Sequence, residues 1–147
     1  YVAELFWKYL SEAERDLAKL AELEVEDPSL QDASITISYQ ELGDRLKMCD
    51  DMAYKFPKDE LYPQIVACQK FYLALLLAGA DNSATFDWET KKLNPEVRQT
   101  VINYIAEHPD AESTKTLKEF MAIMKRNNYQ SSFESDVFLL NKISTEE

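Results

Sequence analysis

The sequence predicts an all-α fold, a single-domain bundle of about six helices around a central buried helix spanning residues 61–78. Three observations predict it. Gly43 and Gly79 are the only glycines in 147 residues, so architectures made of tight turns have little to build on. Most of the chain places apolar residues at three- and four-residue steps, the helical period. The stretch Leu61–Ala78, LYPQIVACQKFYLALLLA, has Gln64, Gln69 and Lys70 as its only strongly polar side chains, and a helix apolar nearly all round is buried on several sides.

Taken in order, the first expected helix runs from Val2 to Glu24. Val2, Leu5, Phe6, Tyr9, Leu10, Ala13, Leu17, Leu20 and Ala21 form its apolar stripe, while Glu4, Lys8, Glu12, Arg15 and Lys19 form a solvated face. Asp16 lies at the edge of the stripe, where a basic neighbour is expected to pair with it, and Trp7 is expected at the rim. Pro28 ends the helical pattern. Ile35 and Ile37 then alternate with polar residues, in a run expected to be extended and packed on the bundle.

Ser38 to Phe56 reads as the second helix, opened by a Ser38–Glu41 capping box and closed by Pro57. Leu42, Leu46, Cys49, Met52, Ala53 and Phe56 face inward. The short link to Leu61 makes this helix the antiparallel neighbour of the central one. Cys49 and Cys68 are equally far from the middle of that link, so they stand at one level of the hairpin. A Cys49–Cys68 disulfide is the expectation, with two buried free thiols as the alternative. The bond would place the protein in an extracytoplasmic setting, periplasmic or secreted; free cysteines would fit the cytoplasm.

Gly79 suits the C′ position after the central helix. In the loop from Ala80 to Leu93, Asp81, Asn82 and Ser83 form turns, and Phe86 and Trp88 are expected to anchor the loop to the core. Asp81, Ser83 and Thr85 repeat the odd-numbered positions of an EF-hand loop. The required glycine is missing and Lys92 stands where the bidentate Glu belongs, so calcium is not expected. Asn94-Pro95-Glu96 opens the next helix, with Val97, Val101, Ile102 and Ile105 inward and Pro109 ending it. Another follows from about Glu112 to Asn127, carrying Leu117, Phe120, Met121 and Met124 inside. A Ser131–Glu134 capping box is expected to open the last, which reaches about Ile143 on Phe133, Val137, Leu140 and Ile143; the tail from Ser144 should fray.

The phrase from Leu42-Gly43 through Ala53 to Phe56-Pro57 resembles one tetratricopeptide unit. It covers one unit at most, and its small and aromatic positions do not recur about 34 residues later. The resemblance implies helical-hairpin packing and nothing about function.

The net charge of −11 repels nucleic acid and anionic membrane surfaces. The uninterrupted apolar run Phe71–Ala80 is about half the length of a bilayer span. The chain shows no leader and opens on Tyr1, for which a processed or trimmed form is the expectation. His108 is the only histidine, which excludes H-E-x-x-H and any two-histidine zinc site. Neither cysteine sits among basic residues that would activate it, and the adjacent carboxylates Asp50 and Asp51 diverge by about 100° on a helix. No metal, cofactor or catalytic machinery is expected.

These features lead to a non-catalytic extracytoplasmic helical interaction domain, in the manner of a bacterial envelope lipoprotein or an immunity-like protein, whose partner is another protein with a basic patch. Candidate contacts are the acidic run Glu22, Glu24, Glu26 and Asp27, and the aromatic pair Phe86 and Trp88. The alternative is a carrier of an apolar small molecule, with Tyr62, Phe71, Tyr72, Phe120, Met121 and Met124 lining a pocket between helices.

Overall fold

The computed structural model describes residues 5–143. Val2 and Glu4 of the expected first helix, and the tail from Ser144, lie outside the described residues. Among them are six α-helices: α1 (Glu12–Glu26), α2 (Tyr39–Lys55), α3 (Tyr62–Leu77), α4 (Pro95–Glu107), α5 (Glu112–Arg126) and α6 (Phe133–Ile143). Two short hairpins join them, β1 (Leu30–Gln31) with β2 (Ser34–Ile35) and β3 (Gly79–Ala80) with β4 (Ser83–Ala84). The all-α expectation holds. No described helix is long and apolar enough to cross a membrane.

The first helix is not continuous. A 3₁₀ turn, Trp7–Tyr9, leads to an extended Leu10, and α1 starts at Glu12 with Ser11 as its N-cap. Ser11 and Glu14 form a full capping box: the Ser11 amide donates to Glu14 Oε2 at 2.6 Å, and the Glu14 amide donates to Ser11 Oγ at 3.2 Å. That box outcompetes the apolar stripe running through it. Leu5, Phe6 and Tyr9 are exposed as a result, while half-buried Trp7 is tied to α1 through its carbonyl, which accepts from Arg15 Nε at 3.0 Å. Asp16 pairs with Lys19 at 2.8 Å and with Lys55 at 3.6 Å, as its position on the stripe's edge predicts.

The central helix α3 is buried where expected: Ile65, Tyr72, Leu75, Leu76 and Leu77 lie in the core. Its most extensive packing is against α2, and this hairpin carries the centre of the fold. A β-hairpin and a loop follow α3, not a second helical pair of the tetratricopeptide kind. Gly79 takes φ +79° at the helix end, and a Cβ there would sit 2.4 Å from the Ser83 carbonyl oxygen.

The extended run predicted around Ile35 and Ile37 is the β1–β2 hairpin, which begins earlier, at Leu30. Its turn residues Asp32 and Ala33 both have positive φ, the geometry of a type I′ turn. The two hairpins dock on each other. The Asn82 amide donates to the Ala33 carbonyl at 2.9 Å, and the Ile35 amide donates to Ser83 Oγ at 3.0 Å.

The last helix is rotated from its expected position. The reciprocal cap is Ser132 with Ser135, one residue beyond the predicted Ser131–Glu134 pair, because Glu134 is drawn to Arg126 and Asn127. Phe138, Leu139 and Ile143 pack on the core, and Phe133, Val137 and Leu140 face solvent. Ile102 of α4 is likewise exposed, contrary to its assignment to the inner face.

Candidate functional site

Two carboxylates organise the polar chemistry of this fold, Asp50 on α2 and Glu24 on α1. Asp50 is 3% exposed and holds four hydrogen bonds. Its Oδ1 accepts from Gln69 Nε2 at 2.5 Å and Ser113 Oγ at 2.6 Å; its Oδ2 accepts from Tyr104 Oη at 2.5 Å and the Ser113 amide at 3.1 Å. These fill the acceptor sites of a carboxylate. Ser113 lies in the first turn of α5, whose N-cap, Ala111, has no side-chain acceptor. Asp50 therefore caps α5 from another helix, and the helix dipole favours its charge. Burial first, and then Asp50's hydrogen bond and negative charge, push the Tyr104 hydroxyl far above its ordinary pKa, so it remains a donor.

Glu24 stands at the other end of this scale of closure. Its Oε1 accepts from Arg45 Nη1 and from Tyr72 Oη, both at 2.6 Å. Its Oε2 accepts from the Ser29 amide and Ser29 Oγ, both at 2.9 Å. Arg45 is fully buried and also donates through Nε to Glu41 at 3.0 Å. Burial of Glu24 disfavours its ionisation, but the bonds from Ser29, Tyr72 and Arg45 outweigh that and hold its pKa below the ordinary 4.5.

Glu24 borders a groove between α1 and α3, with a volume of about 570 Å³. Leu17, Leu20 and Ala21 form one wall; Ala67, Cys68 and Phe71 form the other, and Tyr72 closes the floor beside Glu24. The groove exists because α3 is apolar on more sides than its neighbours cover. Phe71 is 40% exposed, and its ring meets Tyr72 edge-on at 5.2 Å. No lysine or arginine lines this groove.

The structure redistributes the sequence candidates. Cys49 and Cys68 are free thiols, not the expected disulfide. Cys49 is enclosed in the core and Cys68 lines the groove, so equal height along the hairpin does not join the two sulfurs. Burial pushes both thiols up in pKa, which keeps them neutral and poorly nucleophilic. The acidic run is split: Glu24 turns inward to Arg45, while Glu22, Glu26 and Asp27 remain exposed. Phe86 packs on the core as expected, but Trp88 is 76% exposed and anchors nothing, because its turn is held by Asp87 instead. Of the six carrier candidates, Phe71 and Tyr72 reach the groove; Phe120 and Met124 fill the core, with Tyr62 and Met121 packed against it. Sequence reasoning missed Asp50 as the hub of the core. The signal was present, since Asp50 and Gln69 adjoin the cysteine pair whose matched height was recognised.

Comparisons with protein-family models, with characterised proteins and with solved structures find no match to this chain.

Proposed function

We propose that the protein is a non-catalytic binding domain that holds an apolar small molecule in the groove between α1 and α3. One observation carries this reading: a groove of about 570 Å³ with almost wholly apolar walls, placed beside one fixed polar cluster. That volume falls in the range typical of small-molecule sites, and the combination of apolar lining with few oriented polar groups is their usual composition. The test is fluorescence titration with the neutral probe N-phenyl-1-naphthylamine. Saturable binding at one site is expected, and Ala67→Trp, at an exposed position in the groove wall, should abolish it. Absence of saturable binding contradicts the reading.

A second reading keeps the protein-interaction role. It is favoured by the solvent-facing stripe Phe133, Val137 and Leu140, spaced four and three residues apart on α6, together with exposed Trp88. Exposed Glu22, Glu26 and Asp27 would steer a basic partner, now without Glu24. If a partner binds this stripe, Phe133→Ser with Leu140→Ser should abolish its binding and leave thermal stability unchanged. Placement outside the cytosol rested on the disulfide and loses that support.

A further inference from the structure

The groove has a definite electrostatic character, and it constrains the head group of whatever lies in it. This inference rests on the groove being a ligand site. Glu24, Glu41 and Arg45 form one cluster, in which two carboxylates face a single guanidinium, leaving one net negative charge at the groove's inner edge. No basic side chain lines the groove to receive an anionic head. A fatty-acid carboxylate would meet Glu24 without a countercharge, on a chain whose net charge is already −11.

The hydrogen bonding narrows the class further. All the acceptor sites of Glu24 are filled, by Arg45, Tyr72, the Ser29 amide and Ser29 Oγ. The Tyr72 hydroxyl is committed to Glu24 as a donor. A primary ammonium or an alcohol would therefore leave water for a carboxylate that has no free acceptor to offer, and an unmatched donor is costly to bury. A quaternary ammonium carries positive charge and no donor, so it loses nothing to this saturation. It is attracted by the field of the cluster and by aromatic faces. The Phe71–Tyr72 edge-to-face pair, with centroids 5.2 Å apart and planes at 69°, lies in the same groove, with Phe71 open to solvent.

We infer that the groove between α1 and α3 takes a quaternary-ammonium amphiphile, its alkyl chain along Leu17, Ala21 and Ala67 and its head beside Glu24 against the exposed Phe71 ring. The experiment is isothermal titration calorimetry of the whole chain with decyltrimethylammonium, decanoate and decanol, each below its aggregation threshold. The trimethylammonium compound is expected to bind at one site, about tenfold or more tightly than the other two. Ala67→Trp, which leaves the charge unchanged, should remove that site; Phe71→Leu, which keeps the apolar wall but loses the ring, should weaken the ammonium compound about three- to tenfold and decanol hardly at all. Equal or tighter binding of decanoate or decanol overturns the ammonium assignment and leaves the apolar groove standing. Ammonium binding that survives Ala67→Trp is adsorption to an acidic surface and overturns the site. No binding of any of the three overturns both this inference and the groove as a ligand site.

Discussion

Asp50 and Glu24 each hold four hydrogen bonds and each ties distant segments together, yet they sit in opposite surroundings. Asp50 is enclosed and answered only by neutral donors and a helix N-terminus. Glu24 is answered by a buried guanidinium and opens onto an apolar groove. Asp50, nearly buried and filled by four neutral donors, is a structural rivet although it borders a groove of about 540 Å³ lined by charged residues, whereas the more open Glu24 is the polar wall of an apolar groove. The two clusters share no residue, but Gln69 of one and Tyr72 of the other stand one turn apart on α3, so changes at the two should couple.

The largest effect should come from Asp50→Ala. It strands Gln69, Tyr104 and Ser113 as buried donors and uncaps α5, at a cost of about 3–5 kcal/mol in urea denaturation. A loss below that of Glu24→Gln would reverse the comparison. Leu76→Ala, in a side chain with no exposure, should cost about 2–5 kcal/mol through lost transfer energy and a cavity. Trp7→Ala, at the half-buried rim, should cost less than Leu76→Ala in the same assay.

Glu24→Gln should cost less than Asp50→Ala, about 1–3 kcal/mol, because Arg45 keeps Glu41. Its pH signature is sharper than its magnitude. The folded pKa of Glu24 lies below the ordinary 4.5, so its contribution is complete above that value and is lost as pH falls through the folded pKa. Thermal melts from about pH 5 to about pH 3 should therefore show a fall in Tm that is shallower in Glu24→Gln. Asp16 and Glu134 have lowered pKa values too, so part of the fall persists in the variant.

The smallest effect belongs to Thr85→Val. Thr85 Oγ1 is buried without a hydrogen-bond partner, so an isosteric methyl should leave stability within about 1 kcal/mol of the parent, on the stabilising side. A loss of 2 kcal/mol or more, against that expectation, would mean the hydroxyl has a partner in solution.

The helices were legible because periodicity and capping are local: α3, the Asn94 cap and the Gly79 C′ position all stand where the residues put them. Errors arose where two local signals competed. The apolar stripe through Tyr9 and Leu10 predicts helix where the Ser11–Glu14 box starts one, and Ser131 stands one position before Ser132, which makes the cap. That one-residue shift accompanies the exposure of Phe133 and Leu140. The groove was illegible for a different reason. It depends on how far α1 stands from α3, a long-range quantity that no window of sequence contains. In sequence Glu24 reads as one of four acids open to a partner, because the residues that bind it, Arg45 and Tyr72, lie 21 and 48 residues away.

That the apolar groove beside Glu24 is the ligand site, and the polar groove beside Asp50 is not, is tested most directly by methyl and aromatic NMR during titration with N-phenyl-1-naphthylamine. Shifts confined to Leu17, Leu20, Ala21, Ala67 and Phe71 are the expected result, with Tyr104 and the core residues Leu117 and Met124 unmoved. Shifts centred on Leu117 and Met124, or no saturable shift at the groove, would contradict the account.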